Sequence, residues 1–398
     1  MNIFVLNRGS STIKVYLYRI NKESATLLWQ GQVEWKNAFS DQMLTVKTSS
    51  GAHLTETLSK GSKAIERLVS YLVSGKTAVL HSLDEVSAVA HRIVHGGKEF
   101  RASVVLTPKV KEKIRSFSEL APLHNPLELE GVDILQKLFS KSAHVAVFDT
   151  AFHHTLPKAA QVYPGPYQWF EKGIQRYGFH GISFQYCSKR AQQMLGKMPS
   201  KMVICHLGSG ASLCALKEGQ SIDTTMGFTP LEGLMMDTRC GSIDPGILLY
   251  LLKKKGMSID ELSQQLYHNS GLLGVSGFSS DMRDILEKSA QNDPRATLAL
   301  DVYLHRLSAC LGSMIASLQG IDTLEFTAGI GENAPLIRKR ICAHFSFLGL
   351  DLDPHLNDRP LTEDTLISKP HSKVQLLLIH TQEALEMARE CLQFLQNG

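Results

Sequence analysis

Residues 3–18 read IFVLNRGSSTIKVYLY, and residues 202–216 read MVICHLGSGASLCAL. Both stretches are an apolar run, a Gly/Ser turn and a second apolar run. They align when Asn7 is matched with His206, a separation of 199 residues (206 minus 7) in a chain of 398. Each predicts a β-hairpin whose tip has no bulky side chain, so its backbone N–H groups can approach an anion closely. Two ordinary turns are the simpler alternative. The repetition favours a duplicated fold that binds a polyphosphate from both sides.

Size and composition narrow the class of protein. A chain of 398 residues exceeds the size at which one hydrophobic core keeps growing, so two domains are expected. The formal net charge is only +4, and no run of like charge predicts a nucleic-acid-binding tail. No segment approaches the roughly 20 apolar residues of a membrane span. The N-terminus lacks a basic n-region, and the seven scattered cysteines form no C-x-x-C pair. These features predict a cytoplasmic protein without disulfides or structural zinc.

Short apolar, β-branched runs alternate with helix-like patterns along the chain. Strands are predicted at 87–94, 144–148, 202–205, 324–327 and 376–379. Helices are predicted at 60–74, 109–117, 126–139, 183–195, 245–254, 294–318 and 383–395. The alternation predicts an α/β fold, in which ligands bind beyond the carboxyl ends of the strands. We expect an N-terminal domain (1–150) to which residues 384–398 return, and a C-terminal nucleotide-binding domain (151–383).

Three glycine-rich segments are candidates for binding phosphate. The first is the hairpin tip after Asn7, where Lys14 can add a point charge, and the second is the partner tip at 206–210. The third is GIGEN at 329–333, predicted as a loop between a strand and a helix. No Walker A sequence is present, so the pattern does not indicate a P-loop protein.

The third segment also admits a different interpretation. Gly329, Gly331 and Ala334 fit G-x-G-x-x-A, and Asp351 follows about 20 residues later, as a dinucleotide-binding fold requires. A nicotinamide-dependent dehydrogenase is therefore an alternative. The pair of hairpins argues against this alternative, because a hydride-transfer enzyme does not need two further phosphate-binding segments.

Five polar residues stand at strand ends or in tight loops, where ligands are expected. Arg92 lies inside an apolar strand, Asp149 follows another, and His180, Arg239 and Glu383 precede or begin predicted helices. Each alone could be a structural ion pair, a core histidine or a helix-capping acid. Together they suit a carboxylate and a migrating phosphoryl group, because arginines neutralise the equatorial oxygens and a histidine donates a further hydrogen bond. A carboxylate can help to place a metal ion or the acceptor.

Taken in order, these segments resemble the acetate kinase family. The resemblance covers the chain from Asn7 to the final helix. It is carried by HRIVHGG (91–97), APLHNP (121–126), VFDTAFH (147–153), YGFHG (177–181), CHLGSGAS (205–212), MGFTPLEGL (226–234), DTRCGSIDPG (237–246), GLLGVSG (271–277), FTAGIGEN (326–333) and TQEALEMARE (381–390). It implies a duplicated actin/hexokinase-type (ribonuclease H-like) fold, a homodimer, and an active site in the cleft between two domains. The implied reaction is reversible transfer of the γ-phosphoryl group of ATP to acetate, giving acetyl phosphate and ADP, with Mg²⁺ or alternatively Mn²⁺.

The resemblance also implies a role for each residue at the strand ends. Arg92 and Arg239 bind acetate and the transferring phosphoryl group. His180 stabilises the transition state, and Asp149 positions the reacting groups. Asn7 and Glu383 are the implied metal ligands, with Lys14 near the phosphates.

Two further sets of residues match the family by position. The residues that resemble its nucleotide contacts are His206, Leu207, Gly208, Ser209, Gly210, Asp281, Met282, Arg283, Gly329, Ile330, Gly331, Glu332 and Asn333. Those that resemble its pocket for the methyl group are Val94, Leu123, Phe179 and Pro230.

Two alternatives to acetate phosphorylation stay open on the same fold. The valine at 94 leaves little room and favours acetate, but one methylene is worth only about 1–3 kcal/mol, so a propionate kinase is the first alternative. A non-catalytic nucleotide-binding regulator is the second. The chain departs from the family's usual residues at Arg8, Ser209 and Asp237, and the first and last of these add charge near the expected cleft.

Overall fold

Both copies of the quoted motif form β-hairpins, and each hairpin belongs to a different mixed sheet. The computed structural model describes residues 1–9, 12–35, 41–59, 63–118, 124–254 and 256–397. The chain divides into a first unit, Met1–Phe152 with Gln382–Gly398, and a second unit, His153–Thr381.

The first unit is built on an eight-stranded sheet with helices. Its strands are β1 (Asn2–Arg8), β2 (Thr12–Ile20), β3 (Ala25–Glu34), β4 (Gln42–Thr48), β5 (His53–Leu58), β6 (Ala88–Ile93), β7 (Val104–Val105) and β8 (Ala143–Phe148). Its helices are α1 (Ala64–Ser70), α2 (Pro108–Ser116), α3 (Asn125–Leu138) and the last helix of the chain, α15 (Glu383–Asn397). The strand order is β5-β4-β3-β2-β1-β6-β8-β7.

Successive side chains of β1 point to opposite faces of the sheet, and each face is covered by different helices. Phe4 and Leu6 are buried in one apolar cluster with residues of α1 and α3, while α15 packs on β1, β2, β6 and β8. Because side chains alternate between faces, Arg8 lies on the face of Phe4 and Leu6, and Asn7 lies on the other. In the hairpin, Asn7 stands directly opposite Lys14.

The second unit is built on a six-stranded sheet. Its strands are β9 (Lys201–Leu207), β10 (Ala211–Lys217), β11 (Gln220–Thr224), β12 (Thr323–Thr327), β13 (Thr365–Leu366) and β14 (Gln375–Leu378). Its helices are α4 (Lys158–Gln161), α5 (Tyr167–Glu171), α6 (Gly181–Leu195), α7 (Pro245–Lys254), α8 (Ile259–His268), α9 (Gly271–Ser276), α10 (Met282–Ala290), α11 (Pro294–Leu318), α12 (Ala328–Asn333), α13 (Pro335–His344) and α14 (Pro354–Asp358). The strand order is β11-β10-β9-β12-β14-β13.

Six strands of the first sheet have the same topology as the six strands of the second, and β4 and β5 extend the first sheet further. In the first unit, β3, β2 and β1 are antiparallel, β1, β6 and β8 are parallel, and β7 adds a two-residue antiparallel edge. In the second unit, β11-β10-β9, β9-β12-β14 and the two-residue β13 repeat this pattern strand for strand. The repetition confirms the predicted duplicated actin/hexokinase-type fold. Ligands in such sheets are expected at the carboxyl ends of the parallel strands.

Most predicted elements lie within a few residues of their expected bounds. The predicted strands at 87–94 and 144–148 are β6 and β8, and the predicted helices at 245–254 and 294–318 are α7 and α11. The helix predicted at 60–74 is too long, since the helix observed there, α1, spans only Ala64–Ser70. Residues 60–62 lie outside the described part of the chain.

The prediction of a loop at 329–333 is wrong. β12 passes directly into α12 because Ala328 takes a left-handed φ of 65°, which turns the chain within one residue. Glu332 Oε1 accepts a hydrogen bond from Ala328 N at 2.8 Å, and Asn333 Nδ2 donates to Gly329 O at 2.9 Å. These two bonds tie the ends of the short helix together.

Two composition-based expectations concern membranes and disulfides. In the described ranges, no helix combines the length and apolarity needed to cross a bilayer. The seven cysteines all lie in those ranges and are unpaired thiols.

Candidate active site

The carboxyl ends of β1, β6 and β8 bring three predicted site residues together in the first unit. Arg92 Nη1 donates a hydrogen bond to Asn7 Oδ1 at 3.1 Å, and Arg92 Nε donates to Asp149 Oδ1 at 3.1 Å. Arg92 Nη2 donates to the second carboxylate oxygen of Asp149. Such a bidentate ion pair fixes the plane of the guanidinium as well as its position. We call Asn7, Arg92, Asp149 and the neighbouring Glu128 the Arg92 cluster.

Arg92 keeps its charge although little of it is exposed. The exposed fraction of the side chain is 17% for Arg92 and 2% for Asp149. Burial by itself lowers the pKa of Arg92. The charge and hydrogen bonds of Asp149, followed by the charges of Glu383 and Glu128, outweigh burial and leave the pKa of Arg92 above its ordinary value. The cluster therefore presents a permanent cation at the sheet edge.

Glu128 on α3 is a member of the cluster that the sequence analysis missed. It is 1% exposed, and its Oε2 accepts a hydrogen bond from Val94 N at 3.0 Å. Its Oε1 has no hydrogen-bond partner within the described ranges. Burial, the largest influence, raises the pKa of Glu128 to about 8, although Arg92 and the Val94 N–H lower it. The only sequence signal was its place in the first turn of a helix, where acids are common because the helix dipole favours negative charge there.

The first unit also offers oxygen ligands for a metal ion. Asn7 contributes an amide oxygen, and Glu383 begins α15, close enough to influence the pKa of Arg92 and Tyr16. In the part of the chain that is described, no group of three or more His, Cys, Asp or Glu side chains is placed to hold a metal. Mg²⁺ is often held by one or two protein oxygens together with substrate phosphates and water, so Asn7 and Glu383 fit such an ion.

The residues expected around a methyl group fall in both units. Val94 is buried in the first unit, and Phe179 is buried in the second. Pro230, in the second unit, accepts a hydrogen bond through its carbonyl oxygen from Arg239 Nη1 at 2.9 Å. Leu123 lies outside the described residues.

His180 is held by a chain of hydrogen bonds in the second unit. It precedes α6 in a left-handed conformation with φ of 58°, and its Nδ1 lies 2.9 Å from Ser212 Oγ. Its ring stacks on the ring of His206, with centroids 4.1 Å apart. His206 Nδ1 lies 2.8 Å from Ser183 Oγ, which lies 2.8 Å from Thr381 Oγ1. Several buried partners thus determine the orientation of the His180 ring.

The tip of the second hairpin is where His180 and Arg239 converge. A Cβ atom added at Gly210 would lie 3.3 Å from His180 Nε2 and 3.5 Å from Arg239 Nη1. Two nitrogen-bearing side chains therefore border the space that a side chain at position 210 would occupy. Because Gly210 has no side chain, an anion at this tip can reach both.

A cavity of about 600 Å³ lies on the other side of the same tip in the second unit. The predicted nucleotide contacts that line it are Gly208, Ser209, Asp281, Met282, Arg283, Gly329, Ile330 and Asn333. The predicted contacts His206, Leu207, Gly210, Gly331 and Glu332 are not among its lining residues. The cavity is lined by the tip of the second hairpin, the start of α10 and α12.

Asp237 adds an acid to the wall of that cavity. Burial, the largest influence, raises the pKa of Asp237 to about 6; a hydrogen bond with Ser209 lowers it, Asp281 raises it and Arg239 lowers it. A partly titrated carboxyl group therefore stands beside the hairpin tip. The sequence alone identified it only as a departure from the family.

The dinucleotide interpretation of the GIGEN segment finds no support in the geometry. Asp351 is bound by Lys369 and His371 through its two carboxylate oxygens, at 2.9 and 2.6 Å, and does not line the cavity. Glu332 Oε1 accepts hydrogen bonds from the backbone N–H groups of Ala328 and Thr381, at 2.8 and 3.3 Å. These two acids hold the local backbone and side chains together.

Comparison with known proteins gives a family and several relatives of full length. The model of the acetokinase family matches residues 2–389. The chain is 49% identical to the acetate kinase of Nostoc punctiforme, and the match covers 100% of both chains. Among solved structures, the acetate kinase of Porphyromonas gingivalis is 38% identical, with a TM-score of 0.91 over 99% of both chains. A propionate kinase from Francisella tularensis is also 38% identical, with a TM-score of 0.89 over 98% of both chains.

Proposed function

The chain belongs to the acetokinase family, and we propose that it transfers the γ-phosphoryl group of ATP reversibly to acetate, giving acetyl phosphate and ADP. The enzyme is a phosphotransferase whose acceptor is a carboxyl group. One observation carries the proposal furthest. The tip of the second hairpin lines the cavity through Gly208 and Ser209 and lies close to His180 and Arg239 at Gly210. A terminal phosphate held at this tip would lie beside the two groups best suited to neutralise it.

Transfer requires no general base. Acetate is ionised at neutral pH, so its oxygen is already a nucleophile. The work of the enzyme is then to align acetate with the γ-phosphorus and to neutralise charge on the transferring group. Arg239 and His180 neutralise that charge, and Arg92, held in place by Asp149 and Asn7, binds the carboxylate of acetate.

A divalent cation, Mg²⁺ or Mn²⁺, is proposed at Asn7 and Glu383. When bound, the cation would neutralise phosphate charge and help to orient the nucleotide. Lys14, opposite Asn7 in the hairpin, is proposed to add a further positive charge near the phosphates.

Acetate rather than propionate is the proposed substrate. Val94, at the position that matches the family's pocket for the methyl group, is buried, which supports a small acyl group. One methylene is worth only about 1–3 kcal/mol in such a pocket, and a propionate kinase is as similar in structure as an acetate kinase. We expect kcat/KM for acetate to exceed that for propionate by about 10- to 100-fold in a hydroxamate assay. Equal values would favour a general short-chain acyl kinase.

ADP release from Mg-ATP with and without acetate tests the function directly. Acetate-dependent release is the expected result, and Arg239→Ala should lower it by about 100-fold or more, since a preorganised charge-neutralising donor is removed. Arg340→Ala, which removes an exposed ion pair with Asp301, serves as the control and should leave the rate unchanged. ATP binding without acetate-dependent release would contradict the proposal and favour a nucleotide-binding regulator.

The enzyme is further proposed to act in the cytoplasm as a homodimer. Helix α7, PGILLYLLKK, has no buried residue. It exposes Ile247 and Tyr250, which lie three positions apart on one face, and Leu249 on another. Contiguous exposed apolar side chains of this kind are typical of protein–protein interfaces. This surface of the second unit supports a second copy of the chain as a partner.

A further inference from the structure

We propose that Glu128 is a positioning residue that controls, through its own charge, how strongly Arg92 attracts the carboxylate substrate. This inference rests on the proposed function, because it takes acetate to be the ligand of Arg92. Neither the motifs nor the proposed mechanism assigns Glu128 a role.

The first step of the argument is the place of Glu128 in the fold. It lies in α3, and its Oε2 accepts the Val94 N–H at 3.0 Å, two residues beyond Arg92 in the chain. On the same helix, Asn125 Oδ1 accepts the His95 N–H at 3.3 Å, and Asn125 Nδ2 donates to His95 O at 3.2 Å. The helix therefore fixes the segment that continues β6 through two side chains. One carboxylate oxygen of Glu128 makes this bond, but the other is buried with no hydrogen-bond partner in the described part of the chain, so the bond to Val94 does not by itself account for a buried acid.

The second step is the balance of charge around Glu128. The charged groups that face it are Arg92 from β6, Asp149 from the end of β8 and Arg8 from β1. Asp149 forms an ion pair with Arg92, and Glu130, on the helix of Glu128 itself, forms one with Arg8 at 3.0 Å. These four charges balance. Glu383, from the start of α15, also acts on Arg92 as a further negative charge. Among the groups that face Glu128 itself, the net charge then depends on whether Glu128 is protonated.

The third step is the protonation of Glu128. Burial raises its pKa to about 8, and the opposing effects of Arg92 and of the Val94 N–H do not cancel that rise. At neutral pH the group therefore carries a proton, and the four remaining charges sum to zero. As the pH rises through 8, Glu128 becomes an anion beside Arg92. A second carboxylate then competes with acetate for the guanidinium, and the affinity for acetate should fall.

The expected result is specific to one kinetic constant. The KM for acetate should rise about tenfold between pH 7 and 9, since one added charge near Arg92 acts through a partly screened protein medium. The KM for ATP and kcat should change much less, because Glu128 acts on Arg92, the proposed ligand of acetate, and does not line the cavity of the second unit. Acetate itself is ionised over the whole range, so its own titration contributes nothing.

Glu128→Gln provides the decisive comparison. Glutamine keeps an oxygen that can accept the Val94 N–H and is uncharged at every pH, so the KM for acetate should become independent of pH between 7 and 9. Asp133→Asn is the matched control, because Asp133 lies on the same helix but is 46% exposed and pairs with Lys111, outside the charges counted above. That variant should retain the rise seen in the unaltered enzyme.

A measurement on the unaltered enzyme keeps the inference testable if Glu128→Gln does not fold. Acetate binding withdraws Arg92 from Glu128 and so raises the pKa of Glu128, which requires proton uptake near pH 8. Calorimetry in two buffers of different ionisation enthalpy measures that uptake. A flat KM for acetate, an unchanged rise in Glu128→Gln, or no proton uptake would each overturn the inference alone. Absence of acetate-dependent ADP release at every pH would instead overturn the proposed function, and this inference with it.

Discussion

Arg92 and Asp149 illustrate how a single pair of residues can determine both stability and function. The pair is nearly buried, and removing one partner leaves the other as an uncompensated charge. We therefore expect Asp149→Ala to lower the free energy of unfolding of the first unit by about 3–5 kcal/mol, besides impairing catalysis. Urea unfolding followed by tryptophan fluorescence measures this, because buried Trp29 reports on the first unit.

The control for this prediction is another ion pair of the same unit. Glu130→Gln removes the partner of Arg8, but Glu130 is mostly exposed, so the loss should stay below about 1 kcal/mol. If Asp149→Ala cost no more than Glu130→Gln, Arg92 would not depend on Asp149 as described.

Asp237 leads to a second prediction about a single residue, this time with a pH dependence. Burial raises the pKa of Asp237 to about 6, so the carboxyl group is neutral below that pH and negative above it. A negative group in the wall of the nucleotide cavity repels phosphate, so nucleotide affinity should fall as the pH rises through 6. We expect the ratio of the ADP dissociation constants of the unaltered protein and Asp237→Asn to rise severalfold between pH 5 and 8.

ADP also gains and loses protons in this pH range, but this changes the dissociation constants of both proteins by the same factor. The effect therefore cancels in their ratio. Fluorescence titration with a labelled ADP gives both constants. A ratio that stays constant with pH would show that Asp237 does not act on the nucleotide. Asp281→Asn is a useful comparison, because Asp281 lines the same cavity but pairs with Arg283; its ratio should change less.

At the level of elements, the first turns of α6 connect several segments of the second unit. Ser183 Oγ lies between His206 Nδ1 and Thr381 Oγ1, at 2.8 Å from each, and the His206 ring supports His180. We expect Ser183→Ala to lower kcat about tenfold with little change in either KM, because His180 loses orientation rather than contact with a substrate. Steady-state kinetics measures both constants.

Ser188→Ala is the matched control on the same helix. Ser188 is also buried, but its hydroxyl contacts only the sulfur of Met198, at 3.8 Å, among the bonds described for it. Its replacement should leave kcat within about twofold. A large fall in both variants would indicate a general loosening of α6 instead.

The elements that sequence reasoning found are those with a regular local signal. Alternating apolar runs around Gly/Ser tips predicted both hairpins, and the strand ends predicted Asn7, Arg92 and Asp149 as neighbours. Helix α8 was missed although Ser258 and Glu261 form a capping box at its start, a signal that was present in the sequence. The loop predicted at 329–333 was wrong, because no residue pattern announces that Ala328 adopts a left-handed conformation.

Glu128 was missed for a different physical reason. Its importance comes from burial against groups that are distant in sequence, and an acid in the first turn of a helix is usually an exposed favourable charge. The convergence of Gly210, His180 and Arg239 has the same origin. The sequence motifs predicted that these residues act on a phosphoryl group, but only the tertiary structure shows that they lie close together.

At the scale of the whole molecule, duplication has separated two kinds of chemistry onto equivalent strands. Asn7 at the end of β1 corresponds to His206 at the end of β9, and Arg92, next to Asn7 in the sheet, corresponds to Thr327. The first unit thus places an amide and a charged guanidinium where the second places a stacked imidazole and a neutral hydroxyl. We propose that the first copy serves the carboxylate and the metal, and the second the nucleotide.

Assembly of two copies is the last property of the whole chain that can be tested. Helix α7 has no buried residue and exposes Leu249 by 56%, besides Ile247 and Tyr250, so a partner that covers this apolar helix is expected. Leu249→Lys places a charge in that surface, so the proposed dimer should dissociate in light-scattering chromatography at concentrations where the unaltered chain is dimeric. Phe347→Lys changes an equally apolar and more exposed residue of the same unit and should not alter the mass. If Leu249→Lys stayed dimeric, the partner would have to bind another surface, and if both variants became monomeric, the effect would be one of added charge rather than of α7.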